Sequence, residues 1–202
     1  MKIICIGRNY SDHAKEMNSP IPEEPLFFMK PDTALFREKN FYYPDFTADL
    51  HHEVELVVKI AKVGKHISVK NAPNYYNFIG LGIDFTARDI QKQCKEKGLP
   101  WEKAKAFDNS AVISQQFISK DELDLDNINF SLAINDITQQ AGNSADMLFH
   151  IDELISHVSK FVTLKTGDLI YTGTPAGVGP VEIGDELTGV LNGNSMFSIQ
   201  IK

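Results

Sequence analysis

Glu53 and Glu55 stand two residues apart in HHEVELVVKI (51–60), where Val54, Leu56, Val58 and Ile60 take the alternate positions. Such alternation predicts a β-strand with one apolar face. Side chains at i and i+2 of a strand point the same way, so the two carboxylates share the other face and repel each other. Two readings are open. In one, the face is solvated and each glutamate is hydrated or paired with a lysine such as Lys59. In the other, a divalent cation compensates the charge, and a third acidic oxygen comes from a neighbouring strand end. Asp84, which closes the apolar, glycine-punctuated run FIGLGI (78–83), is the candidate. Three carboxylates suit Mg2+, with Mn2+ as the alternative, and leave about three of six octahedral positions open to water or substrate.

Other residues are spaced for chemistry as well. His13 and Glu16, at i and i+3, would share one face of a short helix, where a carboxylate can orient an imidazole as a general base for water. The bland alternative is an idle surface pair. Arg88 and Gln91 likewise share a face on the first turn of a helix directly after Asp84, an end that favours anions. Taken alone, Arg88 reads as a surface ion-pair partner. Lys105, in WEKAKAFD, is one lysine among several.

The elements that must carry these residues follow from local pattern. KIICI (2–6) and LFFMKP (26–31) read as strands, separated by a short helix with Ser11 or Asp12 as N-cap and a proline-rich loop at 18–25. FYYP suggests a strand within an irregular stretch, 32–50. A helix is expected from Thr86, with an approximate Thr86–Asp89 capping box and a C′ glycine at Gly98. A second helix, 147–161, has apolar residues at half-buried helical spacing. FSLAIND (130–136) and LIYTGTP (169–175) read as strands, and the C-terminal stretch as a hairpin about Asn192-Gly193. The glycines of TGTPAGVGP fit no nucleotide-binding pattern and read as turns beside a pocket. The sum is a strand-rich α+β chain without regular βαβ alternation.

Composition narrows the partners. The chain has 202 residues, 43% hydrophobic and 23% charged, with a formal charge of −7 that argues against nucleic acid or an anionic membrane surface. No apolar run approaches the roughly 18 residues that span a bilayer, and the start turns polar too soon for a signal peptide. Cys5 and Cys94 are the only cysteines and are expected to be thiols in a reducing, cytoplasmic setting.

The segments GRNYSDHAKEM, FFMKP, HHEVELVV, GIDFTARDIQ, KGLPWEKAKAFD and GDLIYTGTPAGVGP occur in the order seen in the fumarylacetoacetate hydrolase superfamily. The chain resembles its short members, of the FAH domain-containing protein 1 type, known as acylpyruvases and oxaloacetate decarboxylases. That resemblance implies one catalytic domain over 1–202, a mixed β-roll with lid residues in about 1–45 and a core at about 46–202. It also implies a homodimer and a Mg2+ site. By position, Glu53, Glu55 and Asp84 match metal ligands, His13 and Glu16 a water-activating dyad, and Lys105 an active-site lysine. Arg8, Arg88, Gln91 and Thr174 match positions about the substrate carboxylate, and Lys30 a lysine supporting the lid. The implied reaction cleaves a small 2-oxo acid or dicarboxylate at C3 through a metal-bound pyruvate enolate. Alternatives are 2-hydroxyhepta-2,4-diene-1,7-dioate isomerisation or decarboxylation, oxaloacetate tautomerisation, and metal-dependent dicarboxylate binding without catalysis. The chain lacks the extra upstream acidic ligand of longer members, and reads DNSAVIS where close relatives often have Cys-Pro or Gly-Pro.

Overall fold

Two buried runs, 54–60 and 76–84, pair antiparallel, and their pairing organises the molecule. The computed structural model describes residues 1–202. Its strands are β1 (Ile3–Ile6), β2 (Phe27–Lys30), β3 (Leu35–Phe36), β4 (Asn40–Phe41), β5 (Leu50–His52), β6 (Val54–Ile60), β7 (Tyr76–Asp84), β8 (Thr86–Ala87), β9 (Ala111–Ile113), β10 (Ile118–Ser119), β11 (Asn129–Ile134), β12 (Ile137–Asn143), β13 (Leu169–Tyr171), β14 (Gly179–Pro180), β15 (Glu186–Leu191) and β16 (Asn194–Ile201). The α-helices are α1 (Ser11–Glu16), α2 (Arg88–Lys97), α3 (Glu102–Lys105) and α4 (Ile151–Phe161).

An eight-stranded mixed sheet runs β2-β1-β13-β6-β7-β9-β3, with β10 also paired to β7. A five-stranded sheet, β12-β11-β15-β16-β4, and a three-stranded one, β14-β5-β8, complete the fold. Most pairs are antiparallel; β1–β13, β3–β9 and β4–β16 are parallel. This is the strand-rich α+β architecture expected from the pattern, arranged as the mixed β-roll that the family resemblance implies. No helix is long and apolar enough to cross a membrane.

The alternation in β6 sorts its side chains as expected. Leu56, Val58 and Ile60 join the larger apolar core, whereas Val57, on the other face, packs with Ile3, Cys5, Ala111, Leu169 and Tyr171. Glu53 and Glu55 share the Val57 face, so that smaller cluster seals the sheet beside them. Close approach demands a glycine opposite Glu55. A Cβ at Gly82 would run into the Val112 carbonyl oxygen, the Tyr171 ring and Val57.

Several boundaries differ from expectation, each for a tertiary reason. Thr86 does not open a helix, because its backbone pairs with His51 in the small sheet; α2 begins at Arg88, and no side chain caps it. Asp89 instead accepts from Thr47 Oγ1 and the Ala48 amide. Neither Ser11 nor Asp12 caps α1: extended Tyr10, bridged to Met147, holds that position. The second long helix starts at Ile151 rather than 147, since Asn9 draws the amides of Leu148 and Phe149 out of helical geometry. The strand expected over 130–136 ends at Ile134, where Asn135 and Asp136 turn with positive φ. Of FYYP only Phe41 is in a strand. Gly98 (φ 61°) does terminate α2, and Asn192 and Gly193 do form the hairpin turn.

A branched side chain at Gly82 should therefore overpack the sheet. Gly82→Val is expected to lower unfolding stability by about 2 kcal/mol or more, read from urea melts. Wild-type stability in that variant would show that the sheet relaxes around the methyls.

Candidate active site

Glu53 falls in the one-residue break between β5 and β6, and its carbonyl accepts the Asp84 amide at 2.8 Å. That hydrogen bond brings the end of β7 against the start of β6. As a result one oxygen from each of Glu53, Glu55 and Asp84 lies within 4.8 Å of the other two. All three residues are buried, Glu55 and Asp84 to 1% exposure. The solvated-face reading is thus excluded, and Lys59 turns away, over the Phe117 ring.

Three cations stand against the three acids. Lys105 Nζ donates to Glu53 Oε2 at 2.7 Å and to Asp84 Oδ2 at 2.8 Å. Arg88 donates to Glu53 Oε1 at 2.7 Å and to Gln91 Oε1 at 2.8 Å, which fixes the guanidinium plane. Lys30, expected to support a lid, is instead fully buried in this cluster. Its Nζ donates to the Phe85 and Ser110 carbonyls and to Ser110 Oγ, and it stands 2.6 Å from Asp84 Oδ1. That last contact is ionic only, and Oδ1 has no hydrogen bond.

The charges are unevenly shared. Burial pushes the Glu53 carboxyl up, but Lys105 and then Arg88 outweigh it and hold the group well below the usual carboxylate range. Burial likewise acts to lower Lys105, yet Asp84 and Glu53 keep it firmly protonated. Glu55 has no cationic side chain beside it. Its one hydrogen bond is from the Gly173 amide, at 2.6 Å, and burial, then Asp84 and Glu53, push its carboxyl well above the ordinary value. An all-oxygen set in which one carboxylate, Glu55, forms no ion pair fits a hard divalent cation. Glu53, Glu55 and Asp84 are the residues that would hold it.

Beside this set lies a small cavity of about 30 Å³ whose wall includes Arg8, His13, Glu53, Arg88, Gln91 and Lys105. The fold thus collects residues from 8 to 105 around one space. His13 is buried, and its Nδ1 lies 3.2 Å from Glu16 Oε2. Glu16 is fixed in turn by the Gly177 amide, 3.1 Å from Oε1. Arg8 has no hydrogen bond or ion pair. Thr174 does not line the cavity: its hydroxyl donates to the Val54 carbonyl and accepts from Gln140, each at 2.8 Å.

Gln140 and Asn9 carry more of the site than local pattern revealed. Gln140 Oε1 bonds His52 Nδ1 at 2.8 Å and the Val54 amide at 3.0 Å, clamping the residues on either side of Glu53. Its amide nitrogen donates to Thr174 Oγ1 and the Pro175 carbonyl, just beyond Gly173. Asn9 donates to the Thr172 and Phe149 carbonyls, and Gly173, at φ 97°, leaves room for the Asn9 Cβ. Lone polar residues in strand and loop carry no periodic signal.

Fold and site together define a metal-type acidic centre on a mixed β-roll. Residues 2–201 match the family model described as fumarylacetoacetate (FAA) hydrolase C-terminal, and the chain belongs to that family of enzymes. It is 45% identical over 199 residues to the oxaloacetate tautomerase YcgM of Escherichia coli, covering 96% of this chain and 90% of that one. To the mitochondrial oxaloacetate decarboxylase of Dictyostelium discoideum it is 42% identical over 186 residues, covering 91% and 85%. Among solved structures it is similar to fumarylpyruvate hydrolase from Pseudomonas aeruginosa in complex with Mn2+ and pyruvate. There the TM-score is 0.94, with 35% identity and coverage of 100% of this chain and 89% of that one.

Two outcomes follow from the site. Because burial and the neighbouring acids raise the proton affinity of the Glu55 carboxyl, and a bound cation would oppose that, Mg2+ binding should displace a proton and apparent affinity should rise with pH. Titration calorimetry in buffers of different ionisation enthalpy reads that proton; Glu55→Gln should remove the buffer dependence, and its absence in wild type would contradict the charge assignment. Gln140→Leu should weaken Mg2+ binding by roughly 10- to 100-fold, as loss of a ligand-orienting partner does.

Proposed function

We propose that this chain is a divalent-metal-dependent enzyme acting at C3 of small 2-oxo acids, hydrolysing acylpyruvates and decarboxylating oxaloacetate through a pyruvate enolate. The observation that carries this reading is the convergence of Glu53, Glu55 and Asp84 beside Lys105, Arg88 and the His13–Glu16 pair. Mg2+ is the proposed ion, with Mn2+ the alternative that the Pseudomonas neighbour supports. Such an ion, when bound, supplies a Lewis acid for the keto oxygen of the substrate.

The chain's own groups account for the rest. Arg88, held by Glu53 and Gln91, offers its planar guanidinium toward a carboxylate. Lys105 stays protonated and opposes the negative charge that grows on C3 and the keto oxygen as the C3–C4 bond breaks. Glu16 engages His13 Nδ1 and so leaves Nε2 as the basic nitrogen. In hydrolysis Nε2 takes a proton from water, the water oxygen adds to the C4 carbonyl, and the C3–C4 electron pair passes into the enolate. The proton then returns to C3. In decarboxylation C4 leaves as CO2, the C3–C4 electron pair passes into the enolate, C3 then takes a proton, and no attacking water is needed. Oxaloacetate tautomerisation is the second reading, favoured by the Escherichia relative; it needs only proton transfer between C3 and the keto oxygen.

Assays of acetylpyruvate, oxaloacetate and a dienedioate side by side rank these reactions. Glu53→Ala should lose both Mg2+ binding and turnover of every substrate; full activity in metal-free buffer would overturn the proposal. His13→Ala should slow hydrolysis by roughly 10²- to 10⁴-fold while calorimetric Mg2+ affinity stays close to wild type. Equal losses in both would make His13 structural.

A further inference from the structure

Every carboxylate oxygen of Glu53 and Asp84 already meets a cation. Glu53 Oε1 takes Arg88 and Asp84 Oδ1 faces Lys30, while Lys105 Nζ spans Glu53 Oε2 at 2.7 Å and Asp84 Oδ2 at 2.8 Å. A divalent ion ligated by these residues must therefore share oxygens with an ammonium or a guanidinium. Mg2+ stands about 2.1 Å from its ligand oxygens, so an ion on Glu53 Oε2 would lie no more than about 5 Å from Lys105 Nζ. At that separation, in a buried site, the two positive charges repel strongly. One cation has to yield.

The three cations differ in what else holds them. Lys30 Nζ donates to the Phe85 and Ser110 carbonyls and to Ser110 Oγ, three oxygens outside the acidic set. Arg88 keeps Gln91 Oε1. Lys105 Nζ has no acceptor besides Glu53 and Asp84. Its stem is a flexible four-carbon chain. The cavity that it lines, about 30 Å³, has room for about one water, and so for one ammonium head. The Phe28 ring lines the same cavity, 5.3 Å from Nζ, and offers a cation its aromatic face along that path. Bonding, reach and free space single out the same residue.

We propose that Lys105 is an exchangeable counter-ion of the metal ligands: its ammonium and the divalent ion compete for Glu53 and Asp84, and Nζ moves into the cavity when the ion takes their oxygens. The inference deepens the metal-dependent reading above and rests on it. One event then does two things. It completes the acidic centre, and it delivers a positive charge to the space walled by His13 and Arg88, where the negative charge of the reaction grows. The lysine is withheld from substrate until the ion is in place.

Calorimetric Mg2+ titration compares wild type with Lys105→Met, which keeps the stem and removes the charge. The variant should bind Mg2+ at least roughly tenfold more tightly, because no charge-assisted hydrogen bond is given up on binding. Should the variant fail to fold, wild type alone decides. In protein carrying 15N-lysine, the Lys105 ammonium hydrogens should lose their protection against exchange with water at saturating Mg2+, while those of Lys30 keep theirs. An unchanged Lys105 exchange rate, or a folded Lys105→Met that binds no more tightly than wild type, would overturn the competition and leave the metal reading standing. Mg2+ binding by neither protein would overturn both.

Discussion

Repulsion among three carboxylates, gathered where water does not reach, is the constraint on which the rest of this structure depends. An isolated buried carboxylate is strongly unfavourable, and three with oxygens within 4.8 Å of one another are more so. The fold meets part of that cost with Lys30, Lys105 and Arg88, drawn from β2, α3 and α2, each far from β6 in sequence. The remainder falls on Glu55, which has an amide hydrogen bond and no cation. A site balanced in this way has a standing affinity for positive charge at one place.

The scaffold follows from that requirement. β6 offers two carboxylates on one face because strand side chains alternate, and β7 delivers Asp84 because the Glu53 carbonyl captures its amide. Gly82 lets β7 come close enough, while Val57, Cys5 and Tyr171 close the sheet against water. The same low-dielectric setting pushes the Cys5 thiol and the Tyr171 hydroxyl up, through burial first, then Asp84 for Cys5 and Cys5 ahead of the acids for Tyr171. Rigidity comes from single polar residues: Gln140 clamps both flanks of Glu53, and Asn9 ties the segment that carries Arg8 to the loop that carries Gly173.

Much of this was legible in the chain. Strand alternation put Glu53 and Glu55 on one face, and the end of an apolar run singled out Asp84; Gly98 and Asn192-Gly193 marked turns through their own backbone preferences. What could not be read were groups whose position is set by distant partners. Thr86 looked like a helix start but pairs with His51, and 147–149 looked helical but is held extended by Asn9. Lys30 gave no local sign that its ammonium turns inward, because alternation in a four-residue strand with apolar residues on both faces does not say which face meets an acid. Burial alone decided between the solvated and the metal-type reading of Glu53 and Glu55, and burial is a property of the assembled sheet.

The most direct test of the central claim is anomalous diffraction at the manganese absorption edge from crystals soaked in Mn2+. The account expects one strong peak within ligation distance of carboxylate oxygens from Glu53, Glu55 and Asp84. Full-occupancy carboxylates around an empty centre at high Mn2+, with Glu55 still bonded only to Gly173, would contradict it.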